Sequence, residues 1–493
     1  MSTESLTANL DLLLPEFLLV GLALLVLAID MFLPDNRKHL LAWLSVVGIA
    51  AIVAVGLVVQ WGEDTPLYGG LIIIDDYTLF FQTFFLIVGA VVILSSMDYL
   101  KKHLANPGEY YALVLLAILA MTAMAASREL LTAYISLELM SFCFYTMASY
   151  ARDNPKSNEA GIKYILIGAF SSAILLFGVS MLYGVLGVTR YEDIAAQLQL
   201  LQGAGDVSPA LWVGLAMILV GLGFKMAAVP FHMWAPDVYE GAPLPVTAYL
   251  AVGSKAAAFA LVLRLFSEGL LPSVDDWKII VAILAAVTMS VGNLVAIAQH
   301  NIKRLLAYSS IGQVGFLLVG IAALSAESHL GSNGVMLHLV GYAAANMVVF
   351  IGVISFFNAT GKEEISDFAG LADTNPFMAA TISIGLFSLA GLPFFAGFTT
   401  KFYLFTAAAN QDLLWLAGLA IFNSLISLYY YLMVVRQMYI EPAPATNPHP
   451  PAITQTAVMA GLLTLTVLGV FFVGIYPAPV VDAAGAASAA LFG

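Results

Sequence analysis

The chain has 493 residues, of which 61% are hydrophobic and only 10% are charged. Ordinary soluble domains carry about 25% charged residues, so this composition indicates a protein embedded in lipid. A net charge of −13 without a basic cluster argues against a nucleic-acid-binding protein. The single cysteine, Cys143, can neither form an internal disulfide nor hold an iron–sulfur cluster, and it is predicted to be a small core residue.

Fourteen apolar stretches are long enough to cross a bilayer as helices, for which about 20 residues suffice. In chain order they are predicted at Leu12–Leu33, Leu40–Gln60, Tyr77–Met97, Tyr110–Ala126, Leu130–Tyr150, Gly161–Gly187, Ala210–Phe231, Leu244–Phe266, Ile279–Ala298, Ile302–Leu324, Asn333–Phe357, Pro376–Ala408, Leu413–Met438 and Ile453–Tyr476. No connection is long enough to separate domains, so residues 1–493 are predicted to form one all-α polytopic membrane domain. The connection with the most soluble character, Thr189–Pro209, is predicted as a loop.

Basic residues in the connections predict how the chain lies in the membrane, because cytoplasmic loops carry an excess of lysine and arginine. Ten of them fall on one side: Arg37, Lys38, Lys101, Lys102, Arg152, Lys156, Lys303, Arg304, Lys362 and Arg436. Only Arg128, Arg190 and Lys278 fall on the other side. The first side is therefore predicted to be cytoplasmic, and an even number of spans places both termini outside.

Two of the predicted spans contain signals for a break. Pro376–Ala408 would be about 50 Å long as a helix, which exceeds a hydrocarbon core of about 30 Å, and Pro393 interrupts it. The seventh span has Pro230 near its end. Interrupted spans seven and twelve, five helices apart, predict two inverted five-helix repeats over residues 110–266 and 279–438.

Four ionisable residues lie deep within the apolar stretches, away from their ends: Glu138, Lys225, Lys255 and Lys401. A charge at the bilayer centre costs on the order of 2.5–3.5 kcal/mol, so its presence calls for a function. A lysine whose carboxylate partner approaches and withdraws can take up and release a proton near neutral pH. The pattern favours a proton relay over a structural ion pair such as Glu138 with Lys225, because three buried lysines cannot all pair with one deeply buried acid.

Other polar residues in the spans allow two interpretations each. Lys163 is either part of the relay or an anchor that reaches the membrane surface. His232 either relays protons or caps the broken seventh helix, and His338 either continues the path or is a satisfied core histidine. Ser309 and Ser310 can hydrogen-bond water, although helix packing is the commoner use of serine in such positions.

The sequence contains no fingerprint of a bound electron carrier or nucleotide. It has no GxxxxGK[ST] loop, no cysteine cluster, no histidine pairs suited to haem and no dinucleotide fingerprint. No cofactor is therefore expected in this chain, and any redox energy has to come from partner subunits.

The segment Pro230–Pro243, Pro-Phe-His-Met-Trp-Ala-Pro-Asp-Val-Tyr-Glu-Gly-Ala-Pro, resembles the signature of the subunit N family of complex I, the NADH-quinone oxidoreductase. Ser254–Ala257, Asn301–Ser310, and Leu389–Pro393 with the following Gly-Phe and Lys-Phe-Tyr, are similar to the same family. The resemblance covers essentially the whole chain, including its length of fourteen helices.

The resemblance implies an antiporter-like subunit that translocates protons through two half-channels, coupled to NADH:quinone electron transfer in other subunits of a bacterial inner-membrane complex. It assigns the relay to Glu138, Lys225, Lys255 and Lys401, with Lys163 as a further family lysine. NADH, FMN, iron–sulfur clusters and quinone are expected in those partners. Neighbouring antiporter-like and small membrane subunits are the expected contacts, and no nucleic acid is expected.

One residue departs from the family pattern, and three alternatives to the main interpretation stay open. Many relatives have histidine where this chain has Gln313, which cannot titrate but can hold water by hydrogen bonds. The alternatives are a subunit of a multisubunit cation/proton antiporter, the membrane subunit of a ferredoxin-driven relative of complex I, and a purely structural scaffold.

Overall fold

The computed structural model describes residues 9–204, 208–442 and 455–492. The helices are α1 (Leu14–Phe32), α2 (His39–Val59), α3 (Asp76–His103), α4 (Pro107–Ala126), α5 (Leu130–Ala148), α6 (Pro155–Leu186), α7 (Tyr191–Ala204), α8 (Pro209–Met226), α9 (Trp234–Gly241), α10 (Leu244–Gly269), α11 (Val274–Ala296), α12 (Ile302–Ala322), α13 (Leu330–Thr360), α14 (Leu371–Thr374), α15 (Pro376–Ala390), α16 (Ala396–Asn410), α17 (Leu414–Tyr439), α18 (Ala457–Ile475) and α19 (Ala478–Ala489). Short 3₁₀ turns occupy Leu10–Leu13, Asp35–Arg37, Leu271–Ser273 and Ile365–Phe368. Helices dominate because lipid offers the backbone no hydrogen-bond partners, so each segment satisfies its own.

The prediction of an all-α polytopic membrane protein with about fourteen spans is confirmed. Among the described residues, thirteen helices are long and apolar enough to cross a membrane, and α15 is a shorter apolar helix at the predicted twelfth position. The predicted start of the last span, Ile453, lies outside the described residues, and α18 begins at Ala457.

The connection Thr189–Pro209 is not a loop, as the sequence analysis expected, because most of it forms helix α7. The reason is amphipathicity: Tyr191, Ile194 and Leu198 recur at helical spacing and are buried, while their polar neighbours face outward. The segment is too short and too polar to cross the membrane.

A short hairpin precedes α3. Strand β1 (Thr65–Leu67) pairs antiparallel with β2 (Ile72–Ile74), and Thr65 lies opposite Ile74. Asp75 follows β2 and caps α3, because its side chain accepts a hydrogen bond from the Thr78 backbone N–H at 2.7 Å.

Three helices form the centre of the bundle. In α10 all of the most apolar stretch is buried inside the chain, and in α12 and α13 the shares are 94% and 89%. By contrast, about a third or less is buried in α1, α2, α17 and α18. A side chain on α10, α12 or α13 is therefore shielded from lipid by other helices. Lys255 lies on α10 and His338 lies on α13.

The two predicted helix breaks exist, and the helices before them, α8 and α15, end in the same way. Ala227 after α8 and Gly391 after α15 both have left-handed backbones, with φ of 62° and 88°. The next residues, Ala228 and Leu392, donate their N–H groups to carbonyls five residues earlier, which is a Schellman-type helix end. The matching breaks agree with the proposed inverted repeats over residues 110–266 and 279–438, and that division stays a prediction.

Candidate functional site

Lys225 lies in the last turn of α8, just before the first break, and is only 2% exposed. Its Nζ donates hydrogen bonds to Ser141 Oγ at 2.6 Å and to the Tyr145 hydroxyl at 3.1 Å, both on α5. It also lies 5.3 Å from the centroid of the Tyr145 ring. The ammonium group is therefore held by neutral partners, which stabilise it without fixing it in a permanent ion pair.

Glu138 is less buried than the sequence analysis expected. It is half-buried on α5, next to the exposed Ile135 and Leu139, and its Oε1 accepts a 2.5 Å hydrogen bond from Ser172 Oγ on α6. Within the described residues no ion pair joins it to Lys225. The reason is geometric: one face of α5 packs inward and the other lies on the outer surface of this chain, and Glu138 stands at the boundary.

Lys255 lies at the middle of α10 and is 1% exposed. A π-helical turn, Leu250–Ser254, precedes it directly, and such turns often occur at functional sites. Its Nζ donates a 2.6 Å hydrogen bond to Ser310 Oγ on α12 and lies 5.6 Å from the centroid of the Tyr239 ring. Again the partner is a neutral hydroxyl.

Lys401 is bound by backbone carbonyls at the second helix break. It is 3% exposed, and its Nζ donates to the backbone carbonyl of Leu389 at 2.9 Å and to Ser424 Oγ on α17 at 2.9 Å. The carbonyl of Ala390 is 3.4 Å away. These are the last carbonyls of α15, which lack helical partners and carry the negative end of its dipole. The break thus binds an ammonium group where an unbroken helix cannot.

His338 and Gln313 form a bridge beside Lys401. His338 on α13 is 2% exposed, with Nδ1 2.8 Å from Thr400 Oγ1 and Nε2 3.2 Å from Gln313 Oε1. Gln313 donates its Nε2 to the Leu389 carbonyl at 3.0 Å, the same carbonyl that binds Lys401. Gln313 therefore connects His338 to the lysine site through direct hydrogen bonds.

Polar side chains form a path between the Lys255 site and the Lys401 site, in which hydrogen bonds alternate with residues that are adjacent in sequence. Ser309, adjacent to the Lys255 partner Ser310, has its Oγ 2.5 Å from the Tyr431 hydroxyl. The neighbouring Tyr430 hydroxyl donates to Asn293 Oδ1 at 3.0 Å. Asn293 in turn donates to Asn423 Oδ1 at 3.4 Å. Asn423 directly precedes Ser424, the hydroxyl that binds Lys401.

Sequence reasoning singled out the serines of α12 but missed the rest of this path. The missed members are Asn293, Asn423, Tyr430 and Tyr431. A signal was present, because Asn423, Ser427 and Tyr430 recur at spacings of four and three on one face of α17. All three are buried, so this face is the one that packs against the bundle.

His232 lies within the first break, outside any helix that contains Lys225. It is 9% exposed, and its carbonyl accepts a hydrogen bond from the Ala235 N–H at 2.9 Å. Within the described residues its Nδ1 has no hydrogen-bond partner. The alignment of His232 and Lys225 on one helical face is therefore not realised, because α8 ends at Met226.

Lys163 belongs to a separate cluster of charges around α9. Its side chain is 40% exposed, and its Nζ lies 2.7 Å from Asp237 and 2.7 Å from Glu159. Arg304 at the start of α12 binds Asp237 at 2.9 Å and Glu240 at 3.0 Å. Of the two interpretations of Lys163, these contacts agree with the anchor at the membrane surface.

Two acids of this cluster, Asp237 and Glu240, have pKa values below their ordinary range. Burial alone would raise the pKa of Asp237, but hydrogen bonds from Lys163 and Arg304 outweigh it and lower that pKa. The pKa of Glu240 is lowered in the same way, against burial, by Lys156 and Arg304. Both carboxylates stay ionised at neutral pH and hold α9, the core of the signature segment, to α6 and α12.

Arg264 forms a second buried charge cluster that the sequence analysis did not identify. It is fully buried, binds both oxygens of Asp75 at 2.9 Å and binds Glu268 at 2.7 Å. Arg128 adds a further ion pair to Glu268 at 2.5 Å. Because its charge is matched by two acids, Arg264 has the contacts of a structural residue, in contrast to the three lysines.

The comparisons with known proteins agree with this arrangement. The model of the NADH:quinone oxidoreductase/Mrp antiporter transmembrane family matches residues 127–427. Subunit N of the NADH-quinone oxidoreductase of Moorella thermoacetica is 44% identical, over 96% of this chain and 97% of that protein. The chain belongs to the subunit N family of NADH-quinone oxidoreductases. Subunit N of Rhodospirillum rubrum is a further relative at 40% identity, over 97% of this chain and 96% of the other.

Chains of several solved structures share the fold of this chain. A chain of respiratory complex I from Thermus thermophilus with bound aureothin matches with a TM-score of 0.78 and 28% identity, over 95% of this chain and 99% of that chain. A chain of the archaeal membrane-bound sulfane sulfur reductase matches with a TM-score of 0.82 and 25% identity, over 98% and 97%. A chain of the Mrp complex from Dietzia, at 20% identity and a TM-score of 0.78 over 100% and 98%, shares the fold.

Proposed function

We propose that this chain carries protons across a bacterial inner membrane as the subunit N of a respiratory complex I. One observation carries the proposal: Lys225, Lys255 and Lys401 are almost fully buried, and all three are bound by hydroxyls or carbonyls instead of acids. An ammonium group with neutral partners can lose its proton without leaving a buried carboxylate unpaired. Membership of the subunit N family supports the same function.

We propose an order of transfer along these polar side chains. Protons enter near Lys225 and Glu138, pass to Lys255, and continue by Ser309, Tyr431 and the Gln313–His338 bridge to Lys401. Water between the side chains completes the steps that direct hydrogen bonds do not span. Glu138, half-buried at the surface of the chain, faces the neighbouring membrane subunit and couples its charge to that of Lys225.

The test is proton pumping by the purified complex, reconstituted in vesicles, with Lys225→Met or Lys401→Met. Methionine keeps most of the length of lysine but carries no proton. We expect at least a ten-fold loss of NADH-driven pumping in both variants. Lys101 is exposed, so the Lys101→Met variant serves as the control, and the complex that carries it should pump normally. Full pumping and turnover in both buried variants would overturn the relay.

The electron donor, the partners and the orientation belong to the same proposal. We expect the chain to co-purify with other antiporter-like and small membrane subunits and with a module that contains FMN and iron–sulfur clusters, oxidises NADH and reduces quinone. If the purified complex oxidises reduced ferredoxin and does not oxidise NADH, the chain belongs to a ferredoxin-driven relative of complex I.

Both termini are proposed to lie outside. Labelling of the Lys101→Cys and Lys278→Cys variants with an impermeant maleimide in whole cells tests this orientation, and only the second variant should react.

A further inference from the structure

A groove of about 830 Å³ runs along α3 on the outer surface of the bundle. Its other walls are α2, the middle of α13, α18 and the C-terminal helix α19. None of the three buried lysines lines it, so it is separate from the proposed proton path.

The groove has the length and the surface of a lipid chain site. Along α3 it extends from Asp76, the first residue of the helix, to Val91, which is about 22 Å at 1.5 Å per residue. It therefore covers about half of a membrane that is about 40–45 Å thick with its headgroup regions. Its lining is almost entirely apolar and includes well-exposed side chains such as Ile87 (55%) and Leu465 (63%).

The polar end of the groove is acidic. Asp76 lies there beside Trp61, which is 72% exposed, and it accepts a hydrogen bond from the Gly62 N–H at 3.3 Å. Glu63 and Asp64 follow in sequence. Within the described part of the chain Asp76 forms no ion pair.

Two of the three basic residues predicted on the same membrane face are already engaged. Arg128 pairs with Glu268, and Arg190 pairs with Asp193. This end of the groove therefore repels a purely anionic headgroup and attracts an ammonium group, while tryptophan is typical of the headgroup level.

We propose that the groove binds one zwitterionic phospholipid, with an acyl chain along α3 and the headgroup ammonium at Asp76. The length argues for lipid over a partner helix. The groove covers about 22 Å of α3, which suits an acyl chain, whereas a helix that spans the membrane needs a contact surface along the full hydrocarbon core of about 30 Å. The proposal does not rest on proton transfer, so a failure of the pumping test leaves it standing.

The test fills the groove without disturbing the fold. Gly469 on α18 lines the groove, and a Cβ placed on it would meet no atom within 4 Å, so Gly469→Leu occupies the space without a clash. Gly461, on the same helix, is equally open but does not line the groove, which makes Gly461→Leu the matched control. Asp76→Asn removes the charge at the mouth.

The complex carrying each variant is purified in mild detergent after equilibration with equimolar phosphatidylethanolamine and phosphatidylglycerol, and its tightly bound lipids are counted by mass spectrometry. We expect Gly469→Leu to lose a single phosphatidylethanolamine and Gly461→Leu to lose none. Asp76→Asn should keep a lipid but lose the preference for phosphatidylethanolamine.

Three results would overturn the proposal. An unchanged phosphatidylethanolamine count in Gly469→Leu means that the groove holds no specific lipid. Loss of a protein subunit with an unchanged lipid count means that a partner helix fills it. Loss of quinone instead of phospholipid means that it holds an isoprenoid tail.

Discussion

At the scale of single residues, the site separates two kinds of buried charge. Arg264 is fully buried and has two acids as partners, so it is electrostatically satisfied in one fixed state. Lys225, Lys255 and Lys401 are as deeply buried but have only neutral partners. The first arrangement is that of a structural ion pair. The second fits the proposed relay, because the partners do not change charge with the lysine.

Removal of Arg264 should damage assembly but not the relay itself. Arg264→Met leaves Asp75 and Glu268 buried without their main partner, which costs about 3–5 kcal/mol. We expect a strongly reduced yield and a lower melting temperature of the purified complex, with normal pumping per assembled complex. Arg190→Met, which breaks a half-exposed pair with Asp193, should cost less than about 1 kcal/mol. Equal stability of the two variants would contradict this interpretation.

The Gln313 bridge predicts a graded series of variants. Gln313→Leu removes the hydrogen bonds to His338 and to the Leu389 carbonyl, each of which costs about 1–3 kcal/mol when a buried partner is left unpaired. We expect proton pumping to fall roughly ten-fold. Gln313→His can still bridge both groups and should pump near the wild-type rate. If Gln313→Leu pumps normally, the path between Lys255 and Lys401 does not use this bridge.

At the scale of helices, the two breaks are alike in geometry but differ in residue type. The left-handed position is glycine at Gly391 and alanine at Ala227. A side chain at a left-handed position costs about 1–2 kcal/mol, and glycine avoids that cost. At Gly391 an added Cβ would also lie 3.3 Å from the Cδ of Lys401, so the glycine leaves room for the lysine.

Substitution of alanine for Gly391 and of glycine for Ala227 tests whether the binding of Lys401 depends on the second break. Gly391→Ala should lower stability by about 1–2 kcal/mol and displace Lys401 from the α15 carbonyls, with a several-fold loss of pumping. Ala227→Gly should be close to neutral, because relief of backbone strain offsets a greater loss of chain entropy. Melting curves and pumping of the two purified complexes measure both effects, and normal pumping by Gly391→Ala would show that the lysine does not depend on the break.

At the scale of the whole molecule, the charge cluster around Asp237 joins segments that are far apart in sequence. It ties α6, α9 and the start of α12 together, and Lys303 adds an ion pair to Glu363 in the connection after α13 at 2.6 Å. Helix α9, the core of the signature segment, is thereby held close to the break that follows Lys225.

The pH dependence of this cluster follows from its lowered carboxyl pKa values. A carboxyl group with a lowered pKa in the folded state stabilises the fold above its unfolded pKa, and that contribution disappears as pH falls through the folded value. Asp237→Asn should therefore lower the melting temperature at pH 7, by an effect of no more than about 1 kcal/mol since the group is partly exposed. The difference from wild type should shrink between about pH 5 and pH 3. A difference that grows in acid would contradict the lowered pKa.

The sequence by itself determined the approximate number of membrane spans, the positions of both breaks, the family and the buried lysines. Lipid enforces these features locally, because every apolar stretch of sufficient length must form a helix and every charge within it stands out. Only the tertiary structure decided which groups meet. How the helices pack side by side decides four contacts. Lys401 binds carbonyls of α15, and Gln313 bridges to His338. Glu138 lies at the surface, and Arg264 pairs with Asp75. Packing in a membrane is set by the shapes of facing surfaces, and hydropathy along one chain does not encode them.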